Sequence, residues 1–199
     1  MAAIQHAARA VMRGLVPRHT ITGSPRRAAC EAFISGIFRR RHGAVLQHFA
    51  PNLVLLERGG RIAAAAGWRS AADEALFLEC YLDEPVEAAV GRVAGHAVSR
   101  ARIVEVGHLA SDTPGGTVAV ILALADRLDR LGFEWVVFTA TDELIAIFRR
   151  LGLPPLAIAA ADQRRLGEQA DRWGRYYDGR PVVVAGRIRL ALERAVCRD

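Results

Sequence analysis

The centre of the sequence constrains the fold more than any other part, because two apolar runs flank a helical pattern there. The first run, Arg102–Leu109, leads into a loop of small and polar residues, Ser111–Gly116. Thr117–Leu131 then carries apolar residues at helical spacing, and Glu134–Ala140 is a second apolar run. A strand, a helix and a strand in this order predict two parallel strands joined by a crossover helix.

The flanking segments predict further strands and helices. Two apolar runs around Gly59-Gly60 are typical of a β-hairpin. The other predicted elements are a helix from Ser24-Pro25 to His42, strands at Asn52–Glu57, Ile62–Trp68, Leu76–Leu82, Leu156–Ala160 and Pro181–Ala185, and helices at Pro85–Val98, Asp142–Leu151, Asp162–Tyr177 and Ile188–Val196. We therefore expect an α/β (α+β) fold whose mixed sheet contains a central parallel strand pair and has helices on both faces.

Length and charge narrow the class of protein. The 199 residues fit one domain, which we expect at 24–199, after an N-terminal tail at 1–23 that is flexible or bound to a partner. All 27 basic residues are arginine, which excludes a lysine nucleophile, and the net charge of +6 favours anionic partners. The sequence contains no nucleic-acid-binding motif, so nucleic acid is not an expected partner. It also lacks an apolar run of about 20 residues that could span a bilayer, so a membrane is not an expected partner either.

The cysteines and the N-terminal residues indicate the cellular compartment in which we expect the protein. Cys30, Cys80 and Cys197 are widely spaced and odd in number, which indicates neither a disulfide framework nor a metal site. No apolar signal region occurs in the first twenty residues. We expect a cytoplasmic protein without a metal.

The loop before the predicted helix Thr117–Leu131 is a candidate anion site. Backbone N–H groups are unpaired at a helix start and point toward phosphate-sized ligands, and Gly115 and Gly116 permit close approach. The loop has neither the P-loop nor the dinucleotide pattern. Two glycines also occur in many strand–helix turns without any ligand.

Three titratable residues are candidates for catalysis. Glu105 lies in a strand among apolar residues, where burial would raise the pKa of its carboxyl toward that of a general base. Alternation puts it on the face opposite Val104, Val106 and His108. Glu79 sits in an apolar run, and His108 ends its strand next to the loop. Each has a structural alternative, such as an ion pair of Glu105 with Arg102 or Arg69, or a hydrogen-bonded core histidine.

Several other residues have competing interpretations. Thr139 and Thr141 end the second parallel strand, where ligands of α/β sheets bind, but Thr141 also fits the cap of the next helix. Tyr176 and Tyr177 could supply a proton or simply pack against the sheet. Cys80 has no histidine at a defined spacing and is not expected to act as a nucleophile.

A series of short motifs occurs in one order over residues 26–190. The motifs are FLECYLDEP (77–85), IVEVGHLAS (103–111), WVVFTAT (135–141), FRRLGLPP (148–155), AD (161–162) and WGRYYDGRPVVVAG (173–186). In this order they resemble the thermostable hemolysin family, which is in turn similar to GNAT-superfamily acyltransferases and acyl-homoserine-lactone synthases.

The resemblance implies a GNAT-like acyltransferase. It would move an acyl group from an acyl-CoA or a phosphopantetheine-linked acyl-carrier protein to the amine of a small, amino-acid-like acceptor. The resemblance is also compatible with a homodimer. Glu105, His108 and Glu79 are then the expected catalytic residues. The residues expected to contact the donor are Gly107, Leu109, Ala110, Ser111, Gly115, Gly116, Thr117, Thr139 and Thr141.

The sequence departs from the resembled pattern at three points, the first being His108, where the resemblance implies an asparagine. Phe148 stands where GNAT enzymes often have a tyrosine general acid, and Ser111–Pro114 replaces an Arg/Gln-rich loop start. Two rival functions follow. One is a non-catalytic acyl-carrier-binding module. The other is a membrane-active hemolysin that uses the basic N-terminal segment around Ile4–Leu15.

Overall fold

The computed structural model describes residues 14–194, and within them seven strands form one sheet. The strands are β1 Val16–Ile21, β2 Asn52–Arg58, β3 Arg61–Ser70, β4 Ile103–Ser111, β5 Trp135–Ala140, β6 Leu156–Ala160 and β7 Val182–Arg187. The helices are α1 Arg27–His42, α2 Val86–Ala94, α3 Gly116–Arg130, α4 Asp142–Arg150 and α5 Ile188–Arg194. Three 3₁₀ segments, Phe77–Tyr81, Arg100–Arg102 and Gln163–Trp173, complete the described elements.

The sheet is mixed, with strand order β1-β2-β3-β4-β5-β7-β6. Among the strands of the described residues, only β4 and β5 pair in parallel, and α3 is the crossover between them. The neighbouring pairs are antiparallel. The predicted fold class, including its central parallel pair, is confirmed.

Alternating side chains of the strands build a core on each face of the sheet. On one face, Val54, Leu56 and Val104 pack with α3 and Ile188 of α5. On the other face, neighbouring residues such as Leu55 pack with α1, and Ile103 packs with α2. Helices therefore cover both faces, as expected.

Two predicted elements have a different structure. The predicted strand Leu76–Leu82 is the 3₁₀ segment Phe77–Tyr81, because carboxylates accept its first backbone N–H groups, which leaves no ladder for a strand. The predicted helix Asp162–Tyr177 is a 3₁₀ segment interrupted at Gly167, whose φ of 55° no α-helix contains.

The N-terminal boundary also differs from the expected one. Val16–Ile21, assigned above to the tail, pairs with β2 along its whole length as the edge strand β1. Residues 1–13, including most of the proposed membrane-binding segment, lie outside the described residues.

A β-bulge in β4 corrects the predicted alternation. Ala65 of β3 pairs with Ala110, but Gly67 pairs with Gly107, so β4 holds one extra residue here. His108 takes up this residue at a φ of 55°. Its ring therefore lies with Phe38 and Phe49 on the α1 face, while Leu109 joins Val104 and Val106 on the α3 face.

Candidate active site

A cleft opens where β4 and β5 diverge. The two strands pair only over Ile103–Glu105 and Trp135–Val137. A cavity of about 680 Å³ occupies the widening gap. Side chains from both faces of the sheet line it, including Phe38, His42 and Tyr176 on the α1 face and Leu124, Leu128, Ile188 and Leu190 on the α3 face. The cavity is thus an apolar passage through the sheet.

Glu105 lies at the point of divergence and lines the cavity. Its Oε2 accepts the N–H of Phe77 at 2.8 Å, and its Oε1 accepts that of Leu78 at 3.0 Å. Burial raises the pKa of its carboxyl, and nearby Arg69 and the two N–H donors oppose the shift. Of the two arginines considered as partners, Arg69 is the neighbour, since Arg102 lies near Glu134 instead.

His108 also lines the cavity but is held by the backbone. Its Nε2 lies 3.1 Å from the carbonyl oxygen of His48, and its Nδ1 has no hydrogen-bond partner in the described chain. Burial, with a contribution from Arg69, lowers its pKa to about 4, so the ring is neutral at pH 7. With Nε2 donating to the carbonyl, Nδ1 is the unprotonated nitrogen. It lies against Gly67, where a Cβ would come within 3.0 Å.

Glu79 does not belong to the cavity lining. Its two oxygens accept bonds from Nη1 and Nη2 of Arg100, both at 2.7 Å, and from the N–H groups of Leu76 and Val86. Hydrogen bonds from Arg100 are the main reason that the pKa of this carboxyl falls to about 2. Glu79 thus joins the 3₁₀ segment to the start of α2, and its proposed catalytic role has no geometric support.

The loop between β4 and α3 forms a compact turn beside the cavity. The hydroxyl of Ser111 donates to carbonyls of Ala63 and Thr113 and accepts the N–H of Thr113. Gly115 has a left-handed φ of 75° and caps α3. A Cβ on Gly116 would overlap Oγ of Ser111, so only glycine fits that position. Ser111 and Thr117 line the cavity, whereas the N–H of Gly116 donates to the carbonyl of Thr113 within the turn.

The remaining predicted donor contacts fall into two groups. Gly107, Leu109, Thr139 and Thr141 line the cavity. Ala110 is buried against α1 instead. The hydroxyl of Thr141 accepts the N–H of Leu144, so it caps α4, which was the alternative interpretation.

An aromatic group closes the α1 side of the cavity. The Tyr176 ring stacks on Phe38 and meets His42 edge-on, and its hydroxyl donates to the carbonyl of Thr139 at 3.3 Å. Burial raises the pKa of Tyr176, which keeps the phenol protonated. Tyr177 also lines the cavity, and its hydroxyl bonds to that of Tyr81.

Phe148 also lines the cavity and stacks on Phe138, with ring centroids 4.9 Å apart. A phenylalanine has no proton to donate, so a group other than this side chain must meet any need for an acid.

The structure adds one residue that motif reasoning did not place in the site. The sequence suggests Arg69 only as an ion-pair partner of Glu105, yet in the structure its side chain lines the cavity. Its signal in the sequence was weak, because it is one of many scattered arginines.

Residues 14–194 contain neither a cluster suited to a metal ion nor a helix suited to spanning a membrane. This part of the chain contains no cluster of three or more His, Cys, Asp or Glu side chains suited to a metal ion. None of its helices combines the length and the apolar character needed to cross a membrane.

Comparison with known proteins identifies a family. A family model described as thermostable hemolysin matches residues 20–192. No curated protein has a matching sequence.

Solved structures share the fold at low sequence identity. The acyl-homoserine-lactone synthase LasI has a TM-score of 0.63 at 12% identity, covering 92% of this chain and 94% of that chain. FeeM, an N-acyl amino acid synthase from uncultured soil microbes, has a TM-score of 0.58 at 14% identity, covering 87% and 90%. The CoA-dependent acyl-homoserine lactone synthase BjaI, solved with SAM and isopentyl-CoA, has a TM-score of 0.58 at 13% identity, covering 92% and 88%.

Proposed function

This chain belongs to the thermostable hemolysin family, and we propose that it is an N-acyltransferase. It would move an acyl group from an acyl-CoA or acyl-carrier-protein thioester to the amine of a small, amino-acid-like acceptor. The observation that carries the proposal is the apolar passage at the β4–β5 divergence with the carboxylate of Glu105 at its apex. LasI, FeeM and BjaI, which share the fold, are named as synthases of acylated amines.

The passage suits an extended thioester. Beyond Glu105, the edge of β4 that faces β5 has no ladder partner in the described chain, so its backbone groups can bond to the amides of a pantetheine arm. The start of α3, with Thr117 and the loop glycines, would face the phosphate. Leu124, Leu128 and Ile188 offer apolar surface to the acyl chain.

Glu105 is the proposed general base. Burial raises the pKa of its carboxyl, which brings it closer to that of an effective base near neutrality. The amine loses a proton to Glu105, and its nitrogen forms a bond to the thioester carbonyl carbon. Backbone N–H groups between Gly107 and Ala110 would stabilise the oxyanion. The C–S bond then breaks, sulfur keeps the electron pair, and the thiolate takes up the proton that Glu105 removed from the amine, so that the thiol leaves and the carboxylate is restored.

Direct transfer is favoured over an acyl-enzyme. Cys80 lies outside the cavity lining, and burial raises the pKa of its thiol. Cys30 is buried in the α1 core, and desolvation raises its pKa to about 11. The Ser111 hydroxyl donates to backbone carbonyls instead of a histidine. We expect both substrates to bind before the thiol leaves, and a trapped acyl-enzyme would contradict this order.

The donor is tested first by thermal shift. Free CoA, acetyl-CoA, octanoyl-CoA, palmitoyl-CoA and an acyl-phosphopantetheine are compared, because a ligand at 100 times its dissociation constant stabilises a fold by about 2.7 kcal/mol. A thioester that raises Tm more than free CoA supports the proposal, and thiol release with amino acids then tests turnover. If no CoA thioester and no acylated carrier protein stabilises the chain, the proposal fails.

Two alternatives are tested by the same material. A non-catalytic binding module, favoured by Phe148 and the unusual loop, would bind a thioester but release no thiol with any amine. A membrane-active protein would release dye from anionic liposomes, with the full chain needed because residues 1–13 carry the basic segment. Dye release without thiol release would favour that alternative.

A further inference from the structure

Arg69 is an incompletely bonded guanidinium at the cavity wall. It lies on β3 directly across from Glu105. Its Nε is 3.4 Å from Oε2 of Glu105, and its Nη1 is 3.7 Å from Oε1 of Glu74, but neither contact has the geometry of a hydrogen bond. Its side chain is only 17% exposed. Its N–H groups make no hydrogen bond within the described chain, and its nitrogens are not fully buried, so they are accessible to an acceptor in the cavity.

Two other partly buried arginines are bonded by the chain itself. Arg100 donates to both oxygens of Glu79 and to the carbonyl of Ala71. Arg27 donates to Glu31 and to two backbone carbonyls. Arg69 differs because the N–H groups of the 77–81 segment already hold the carboxylate across from it.

We infer that Arg69 binds the carboxylate of the acceptor, so that the acceptor class is the free α-amino acid. This inference rests on the proposed function. A guanidinium fork matches a carboxylate with two parallel hydrogen bonds. Glu105, 3.4 Å away, offers the negative charge for the ammonium group of the same molecule. The two side chains together are complementary to a zwitterion and place its amine next to the base.

The experiment compares each of the twenty L-amino acids with its primary amide, using octanoyl-CoA as donor. The amide keeps the side chain, loses the carboxylate and has the more readily deprotonated amine, so intrinsic reactivity favours the amide. The wild-type enzyme should nevertheless prefer the acid. Arg69→Gln should lower kcat/KM for the acid relative to that for the amide by about 10- to 100-fold, the effect of losing charge-assisted hydrogen bonds. Loss of Arg69 also removes a charge that lowers the pKa of Glu105, but this effect on the base is shared by both acceptors and cancels in the ratio.

Two further variants separate recognition from structure. Arg69→Lys keeps the charge without the fork and should give an intermediate preference. Arg92→Gln removes an exposed arginine paired with Glu84, outside the cavity lining, and should leave the preference unchanged. Amides used as readily as acids by the wild type, or an equal loss for both acceptors in Arg69→Gln, would overturn the inference.

Binding without turnover separates this inference from the proposed function. The same acid and amide pairs are tested for thermal stabilisation of the wild type and Arg69→Gln. Acid-selective stabilisation that depends on Arg69, with no thiol release, would support carboxylate binding while acyl transfer fails. No turnover and no acid-selective stabilisation would overturn both.

Discussion

At the scale of single residues, Glu105 and Glu79 show how partners separate two similar carboxylates. Both lie in apolar surroundings in the sequence, and both accept backbone N–H groups. Two nitrogens of Arg100 bond to Glu79, which lowers the pKa of its carboxyl. Glu105 has only a longer contact with Arg69, and burial raises its pKa. Their partners thus move the pKa values of the two carboxyls in opposite directions.

Glu105→Gln should remove turnover while leaving donor binding intact. Loss of a general base lowers kcat by about 10²- to 10⁴-fold. In the wild type, the rate should fall as pH drops through a pKa above the ordinary glutamate value of 4.5, since protonation removes the base. Thiol release across pH measures both effects, and thermal shift with octanoyl-CoA reports binding.

Because one oxygen of Glu105 would become an amide N–H₂ facing a backbone donor, urea unfolding must show that the variant is folded. A folded variant that retains the wild-type rate would place the base elsewhere.

His108 should make the fold sensitive to acid. Its folded pKa, near 4, lies below the unfolded value of 6.5, so the unfolded chain binds the extra proton between these values. The stability from His108 is therefore complete above about pH 6.5 and declines as pH falls toward 4. His108→Asn, which tolerates the left-handed φ of 55°, should lose less stability between pH 7 and pH 5 than the wild type.

Urea unfolding at both pH values measures this difference and cancels the contributions of other histidines. Equal losses in wild type and variant would show that His108 is not the acid-sensitive group.

At the scale of elements, the turn between β4 and α3 links sequence most directly to the candidate site. Gly116 is required because the Ser111 hydroxyl occupies the space of a Cβ. That hydroxyl in turn fixes the carbonyls and N–H groups of the loop. The start of α3 keeps its position relative to the cleft only while this turn is intact.

Gly116→Ala should weaken donor binding more than it weakens folding. The added methyl group displaces Ser111 and shifts the first turn of α3 away from the expected phosphate position. Titration of octanoyl-CoA by thermal shift should show a Kd increase of about tenfold or more, as expected for loss of one charge-assisted bond. Gly179→Ala, where a Cβ meets nothing within 4 Å, is the control.

An unchanged dissociation constant in a folded Gly116→Ala variant would show that the phosphate does not bind at the start of α3.

The same elements show what the sequence could predict. The crossover between β4 and β5 and the β2–β3 hairpin follow from apolar spacing and glycines, and their predicted bounds agree within a few residues. The 77–81 segment was mispredicted because its apolar pattern does not reveal that Glu105, 27 or 28 residues away, accepts its N–H groups. The bulge at His108 is invisible for a similar reason, since register is a property of two strands. Glu105 could be found from sequence, but the position of the Arg69 guanidinium in the cavity wall could not.

At the scale of the whole molecule, the sheet and its helices enclose a passage whose length should select the donor. One arm of the cavity is lined by Leu124 and Ala125 of α3 and by Ile188 and Leu190 of α5, and this lining is apolar. Each methylene buried there is worth about 0.8 kcal/mol, or about fourfold in Kd. Longer acyl-CoA molecules should therefore bind more tightly until the arm is filled.

Ala125→Phe should shift the donor preference toward shorter acyl chains. Ala125 lines the cavity from α3, and a phenyl ring there would fill part of the arm. We expect weaker stabilisation by octanoyl-CoA and unchanged stabilisation by acetyl-CoA in thermal shift. Ala88→Phe, on the exposed side of α2, controls for the added ring. A parallel loss for both donors would show that the acyl chain does not lie between α3 and α5.

The short pairing of β4 with β5 also has a mechanical consequence. Within residues 14–194, the half-sheet β1–β4 and the half-sheet β5–β7 are joined by a single ladder of three residues on each strand. Beyond these three residues, β4 and β5 form no backbone hydrogen bonds with each other in the described chain. Along this seam between the two half-sheets, a bound thioester would form hydrogen bonds with both strand edges. A ligand in this position acts as a substitute strand, so hydrogen exchange at the seam should slow on both sides when the donor binds.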